Sequence, residues 1–312
     1  MEQSETNETA AIESIDAREA SPVVTQARSV AGPVITQGTP GCPTCGTVAW
    51  AQNGGTASSS YVYALGQIGT RFPRPSVEKE MAQATGRAET AGHTDQQAFH
   101  DVLSRRENRY LVRQLCWVLS IHGLETYILQ PRDPADLDLL ISAVQPQSSP
   151  WISAVIGVRG PVAPPEFCNG LMIPIVAFNQ IYTFSRDGLI EAIPRPERLP
   201  AEQFGPAARE LFDRIMQMTD NAGNEDQHRA LNYLAVRYPK IYAHVAEAFA
   251  GDSSLSGVEV RPSRLSGTRN IVDCIFSYTN RNTDYTEKYF VRCDVTEEFP
   301  FLVTKLSPYY DR

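Results

Sequence analysis

Hydrophobic positions do not recur with any regular spacing until about residue 60, and that onset divides the sequence. Before it, apolar residues come singly or in pairs among Glu, Thr, Ser, Ala, Gln and Gly. Such a stretch cannot bury enough surface to offset the entropy of ordering it, so residues 1–59 are expected to be a disordered acidic tail. Its last part, from Gly54 to Ser60, has the composition of a flexible linker.

From residue 60 to 312 the pattern is that of a folded domain. Residues 61–68 have the aromatic and β-branched content of a strand. Residues 76–85 fit a helix stopped at Gly86. Thr94 with Gln97 three positions on is the pattern of a capping box, opening a helix through Leu103. Across 109–121, Leu111, Leu115, Val118 and Leu119 share one helical face, which predicts a helix broken at Gly123 and followed by an extended segment over 124–129. Asp133 before Pro134 predicts a helix start that puts Leu137, Leu140, Ile141 and Val144 on the core side. The apolar runs 152–158 and 171–184 suit strands buried on one or both faces.

Prolines 194, 196, 200 and 206 predict a stiff connector over 194–206, a candidate subdomain boundary. Beyond it Leu211, Phe212, Ile215 and Met218 lie in helical register. Asn224 and Gln227 read as a second capping box, and the helical stretch it opens, Leu231 to Phe249, must kink or split at Pro239. Residues 258–261, 270–278, 288–295 and 301–305 then alternate or run apolar between polar turns, the one at 278–284 dense in Asn and Asp. Mixed helices and strands closed by an antiparallel meander indicate an α+β fold.

Composition adds limits. An apolar fraction of 42% is ample for a core, and a net charge of −8 argues against a general polyanion binder, so nucleic acid is not an expected partner. No run approaches the roughly 18 apolar residues of a membrane span. The opening Met-Glu-Gln-Ser-Glu is unlike a signal peptide, so a cytoplasmic protein is expected. In a reducing compartment Cys116, Cys168, Cys274 and Cys293 read as small buried hydrophobes, Cys116 packing beside Leu115 and Leu119.

Common catalytic signatures are absent: no phosphate loop, no G-x-G-x-x-G, no H-E-x-x-H, no G-x-S-x-G. Gly66 and Gly69 read as a bend. The sharpest motif is Gly41-Cys-Pro-Thr-Cys-Gly46, in which Cys42 and Cys45 have the spacing of half a zinc knuckle. A closed site needs four ligands, so His93, His100 or a second chain, hence a homodimer, would have to complete it. A redox pair and an incidental pair in a flexible tail are the alternatives. His93, His100, His122, His228 and His244 read as structural, with His122 at a helix end. Arg105-Arg106 and the group Arg261, Arg264, Arg269 could hold a carboxylate, and Asp294, Glu297 and Glu298 a cation, although solvated or locally paired side chains explain both.

Three stretches carry a family likeness: Tyr61-Val-Tyr-Ala-Leu-Gly-Gln-Ile-Gly69; Asn108 to Leu119 with Leu124 to Leu129; and Val155-Ile-Gly-Val-Arg-Gly160. With them the chain from Tyr61 onward resembles the C-terminal domain of PatG-type cyanobactin maturation proteins. The resemblance implies a domain that accompanies a subtilisin-like protease acting on ribosomally made peptides. Here the protease signatures are missing, so no catalytic residue carries over. The expected role is a non-catalytic accessory or recruitment domain that binds a precursor peptide or a maturation protease. Two alternatives stand beside it: a cryptic metal-assisted enzyme using Cys42 and Cys45, and a precursor-like peptide fused to its own recognition domain.

Overall fold

The structure, a computed structural model, describes residues 61–87, 92–147, 151–197, 200–218 and 220–310. The expected tail and linker, with Cys42 and Cys45, lie outside the described residues.

Five strands close into a barrel: β1 (Tyr61–Arg71), β2 (Cys116–Ile121), β3 (Leu124–Pro131), β4 (Trp151–Val162) and β5 (Pro174–Ser185), in the order β1-β2-β3-β5-β4. All neighbours are antiparallel except β3 and β5. Closure depends on β1 serving two partners. Its first half, to Gly66, pairs with β4, and from Gln67 it pairs with β2. Gly66 is therefore a point of exchange inside a continuous strand and not the expected bend. A Cβ there would stand 2.4 Å from the Ser120 carbonyl oxygen, so only glycine lets the strands approach.

Alternate residues from all five strands, among them Val62, Leu119, Leu129, Val155 and Phe178, meet in one core. The opposite faces divide between two separate clusters, so the first set fills the barrel. The same core takes Val77 and Met81 from α1 (Pro75–Arg87), Leu103 from α2 (Asp95–Ser104), Leu111 from α3 (Arg109–Gln114) and Leu140 from α4 (Leu137–Ala143). The Thr94 capping box forms as expected, Thr94 N–H donating to Gln97 Oε1 (2.9 Å) and Gln97 N–H to Thr94 Oγ1 (3.3 Å). Asp133 caps the 3-10 turn leading into α4.

The expected helix over 109–121 is corrected. It stops at Gln114, and Cys116 to Ile121 is β2, with Trp117, Leu119 and Ile121 turned into the barrel. His122 (φ 51°) and Gly123 (φ 79°) then make a two-residue hairpin turn with both residues left-handed. His122 is thus in a β-turn, not at a helix end, and its Nε2 donates to the Met216 carbonyl (2.7 Å).

A second correction concerns Cys116 and Cys168, which form a disulfide in a small cluster with Ile128, Ala163 and Ile175. Cys274 and Cys293 are buried free thiols, as expected.

The second layer holds α5 (Arg186–Ala192), α6 (Ala201–Met216), α7 (Asp226–Arg237), α8 (Lys240–Ala250) and a four-stranded antiparallel sheet. The sheet is the expected meander, in the order β6 (Ser253–Pro262), β7 (Ile271–Asn280), β8 (Thr286–Asp294) and β9 (Phe301–Pro308). Pro239 separates α7 from α8, as its missing donor requires. Two local expectations fail. Pro206 lies inside α6 rather than in a connector, and the helix continues through it. The second capping box does not form, because the N-cap of α7 falls one residue later than expected, on Glu225, which makes no side-chain cap.

α7 lies between the barrel and the meander. Asn232 is fully buried and donates to the Tyr63 carbonyl (2.8 Å) while exchanging bonds with Asn221 (2.9 and 3.1 Å). Arg229, whose side chain is 3% exposed, donates to the Val295 carbonyl (2.6 Å) and the Glu297 carbonyl, and pairs with Asp226 (3.3 Å). Burial pushes its guanidinium pKa down, opposed by Asp226, Tyr61 and Glu298. Replacing it by methionine keeps the stem but orphans two carbonyls, so Arg229→Met is expected to lower the unfolding free energy by about 2–4 kcal/mol. Urea denaturation checks this, and a change within about 0.5 kcal/mol would show that the guanidinium contributes no net stability.

Candidate functional site

The residues singled out by sequence do not converge. His93 Nδ1 sits 2.8 Å and His100 Nδ1 3.9 Å from Asp101 on α2, a surface arrangement with partly exposed rings. Among the described residues no group of three His, Cys, Asp or Glu side chains could hold a metal ion. Arg105 pairs with Glu107 (3.9 Å), Arg261 with Glu259 (3.5 Å), and Arg269 with Asp294. The acidic trio is likewise engaged: Asp294 also accepts from the Thr296 amide (2.9 Å), Glu298 pairs with Arg132 (3.0 Å), and Glu297 accepts from the Tyr61 hydroxyl (3.4 Å). These carboxylates join elements of the fold, the local pairing the sequence reading preferred over a cation there.

Two clefts remain. One, of about 560 Å³, lies between the end of α6 and the start of α7. His228 Nδ1 is buried there without a partner, and burial lowers the imidazole pKa against the pull of Glu225 and Asp220. The rim mixes Arg214 with Asp220 and Glu225 and offers no tyrosine or phenylalanine face.

The second cleft, of about 350 Å³, is built of α8 and the β7–β8 hairpin. Its parts come together through register. Tyr278 stands opposite Glu287 and Phe276 opposite Tyr289, so Tyr278, Glu287 and Tyr289 project from the sheet face that α8 covers. α8 supplies His244 and, one turn on, Glu247. The His244 ring leans on Tyr289 at 4.0 Å between centroids and meets Tyr278 edge-on at 5.1 Å. The hairpin turn is held by Asn280 Oδ1, which accepts from the Asn282 amide (3.0 Å) and the Thr283 amide (3.1 Å). That turn presents Tyr285, 66% exposed, beside the opening.

Two polar atoms in this cleft are buried without a hydrogen-bond partner: the Tyr278 hydroxyl and His244 Nε2. Tyr278 is only 2% exposed. An unmet buried polar atom costs about 1–3 kcal/mol, so a site that keeps two at a cleft wall is suited to meeting them from a ligand. Burial pushes the Tyr278 hydroxyl pKa well up, and it lowers the His244 imidazole pKa against Glu247 and Glu287. Both groups are therefore held neutral near pH 7, facing two carboxylates. Sequence reasoning passed over this site because no nucleophile lies near His244 in sequence. The available signal was Tyr278, Tyr285 and Tyr289 bracketing one turn.

Residues 198–309 match the family described as PatG C-terminal. A solved structure described as a PatG domain of unknown function shares the fold, with a TM-score of 0.64 and 19% identity over 80% of this chain and 99% of its own. No curated protein sequence matches the chain. The PatG C-terminal match runs from α6 through β9 and so contains both clefts. The three stretches that carry the sequence resemblance lie outside it, on β1, on α3 to β3 and on β4.

Proposed function

We propose that this protein is a non-catalytic recruitment domain in the maturation of ribosomally synthesised, post-translationally modified peptides of the cyanobactin type. It holds a precursor peptide for a partner enzyme such as a subtilisin-like maturation protease. The PatG C-terminal match supports the pathway. The observation that carries the binding role is the α8/β7–β8 cleft, preformed and open, with two buried polar atoms awaiting partners.

The test is titration of the isotope-labelled full chain with a synthetic cyanobactin-type precursor peptide. Saturable shifts are expected around α8 and the β7–β8 turn, with the peptide recovered unchanged. Chemical conversion of the peptide by the purified chain would overturn the non-catalytic assignment. Absence of any shift at saturating peptide would overturn the recruitment assignment.

Zinc held by Cys42 and Cys45, with a histidine or a second copy completing the shell, is a separate proposal. It is checked by metal content of the full chain beside the Cys42→Ser/Cys45→Ser variant; equal zinc in both would end it. Among the described residues no helix is long and apolar enough to cross a membrane. In the cytoplasm we propose for it, the Cys116–Cys168 bond would have to persist among reducing thiols. Its burial, with the two residues 4% and 1% exposed, restricts the attack that reduction requires.

A further inference from the structure

We infer that the α8/β7–β8 cleft recognises a guanidinium group, the side chain of an arginine in a bound peptide. That the group belongs to a peptide rests on the function proposed above; the charge and shape preference rest on the cleft alone.

The sign of the charge follows from what lines the opening. Glu247 from α8 and Glu287 from β8 both act on the His244 ring, so two carboxylates from different elements face the same point. Glu247 has His244 as a neighbour at 3.9 Å, and Glu287 faces the Tyr289 hydroxyl. Elsewhere in the second layer some acidic groups are matched by arginines, as in Arg186 with Asp213 at 3.1 Å and Arg292 with Asp273 at 2.8 Å. An anion would meet two carboxylates here, whereas a cation would be drawn to both.

The Tyr285 ring, 66% exposed beside the opening, selects among cations. Tyrosine rings present the negative face of their quadrupole, which attracts a cation lying over them, and a planar guanidinium stacks better than an ammonium. The protein already uses this contact at the border of the cleft, where Arg281 lies 4.3 Å from the Phe249 ring centre and donates from Nε to Ser254 Oγ at 2.9 Å. A guanidinium also carries five N–H donors. The neutral His244 Nε2 and the Tyr278 hydroxyl oxygen can accept from such a fork, while Glu247 and Glu287 balance its charge. A volume of about 350 Å³ suits one side chain and not a folded partner.

The test uses N-acetyl-arginine-N′-methylamide and its citrulline counterpart, identical in shape and neutral. Each is titrated into the full chain while the ring resonances of His244, Tyr278 and Tyr289 are followed. The arginine compound is expected to saturate at those rings at least tenfold more tightly than the citrulline compound. The Glu247→Gln/Glu287→Gln variant is expected to lose that preference with its thermal midpoint unchanged, since both side chains are solvent-facing. Equal binding of the two compounds, binding undiminished in the double variant, or tighter binding of N-acetyl-aspartate-N′-methylamide would each overturn the inference. Retained binding of the precursor peptide by the double variant would sink the guanidinium assignment and leave recruitment standing. Binding of the arginine compound without any binding of the precursor would do the reverse.

Discussion

Gly223→Ala is expected to cost more than 3 kcal/mol and to abolish cooperative folding near physiological temperature. Gly223 lies between α6 and α7 at φ +71°, a conformation that charges a side chain about 1 kcal/mol by itself. The larger cost is steric. A Cβ there would stand 2.3 Å from the Tyr63 carbonyl oxygen and 2.6 Å from the Ala64 Cα. Both are backbone atoms of β1 in a closed barrel, which cannot shift without disturbing the pairing of β1 with β4.

The loop cannot give way either. Gly223 accepts from the Tyr63 amide at 2.8 Å, its neighbour Ala222 accepts from the Tyr127 hydroxyl at 2.9 Å, and Asn232 donates to the Tyr63 carbonyl at 2.8 Å. Retreat of the loop would break these buried bonds together. Thermal and urea unfolding check the expectation, with Gly69→Ala as control because a Cβ at Gly69 meets nothing within 4 Å. A drop of less than about 1 kcal/mol for Gly223→Ala, the size of the conformational penalty alone, would show that loop and strand separate without cost.

The second large effect is expected from replacing Cys116 and Cys168 together by serine. The bond joins the start of β2 to the β4–β5 connection across 52 positions. A loop of that length restricts the unfolded chain by about 4 kcal/mol on the chain-entropy account. The serines would also sit in the apolar cluster of Ile128, Ala163 and Ile175. Stability is expected to fall by about 3–5 kcal/mol, with amide exchange rising first over the β4–β5 connection. Mass spectrometry after alkylation of the denatured, unreduced chain should find Cys116 and Cys168 unmodified. Alkylation of Cys116 in that experiment would remove the bond and the prediction with it.

Much of the second layer was legible from residues. The β6–β9 meander follows from four apolar runs between polar turns, and the α7/α8 break from Pro239 alone, because both signals are local. The Thr94 capping box was readable for the same reason: all its partners lie within four residues. Where the signal was local but ambiguous, reading failed. Leu111, Leu115, Val118 and Leu119 fit a helical face, yet Trp117, Leu119 and Ile121 fit a strand face equally well. A short apolar run carries both periods, and the vacancy between β1 and β3 in the closing barrel chose between them.

The sequence by itself determined an α+β chain with its apolar mass beyond residue 60, its helix caps, its proline break and its closing meander. Each of these rests on interactions within one turn or one hairpin. Tertiary structure alone decided the barrel, the exchange of partners at Gly66, the Cys116–Cys168 bond and the union of His244 with Tyr278, Glu287 and Tyr289. The disulfide spans 52 positions and the His244–Tyr278 contact joins two elements distant in sequence, and nothing local records such pairings. Strand register sets them, and register is fixed only when whole faces find one another in the core.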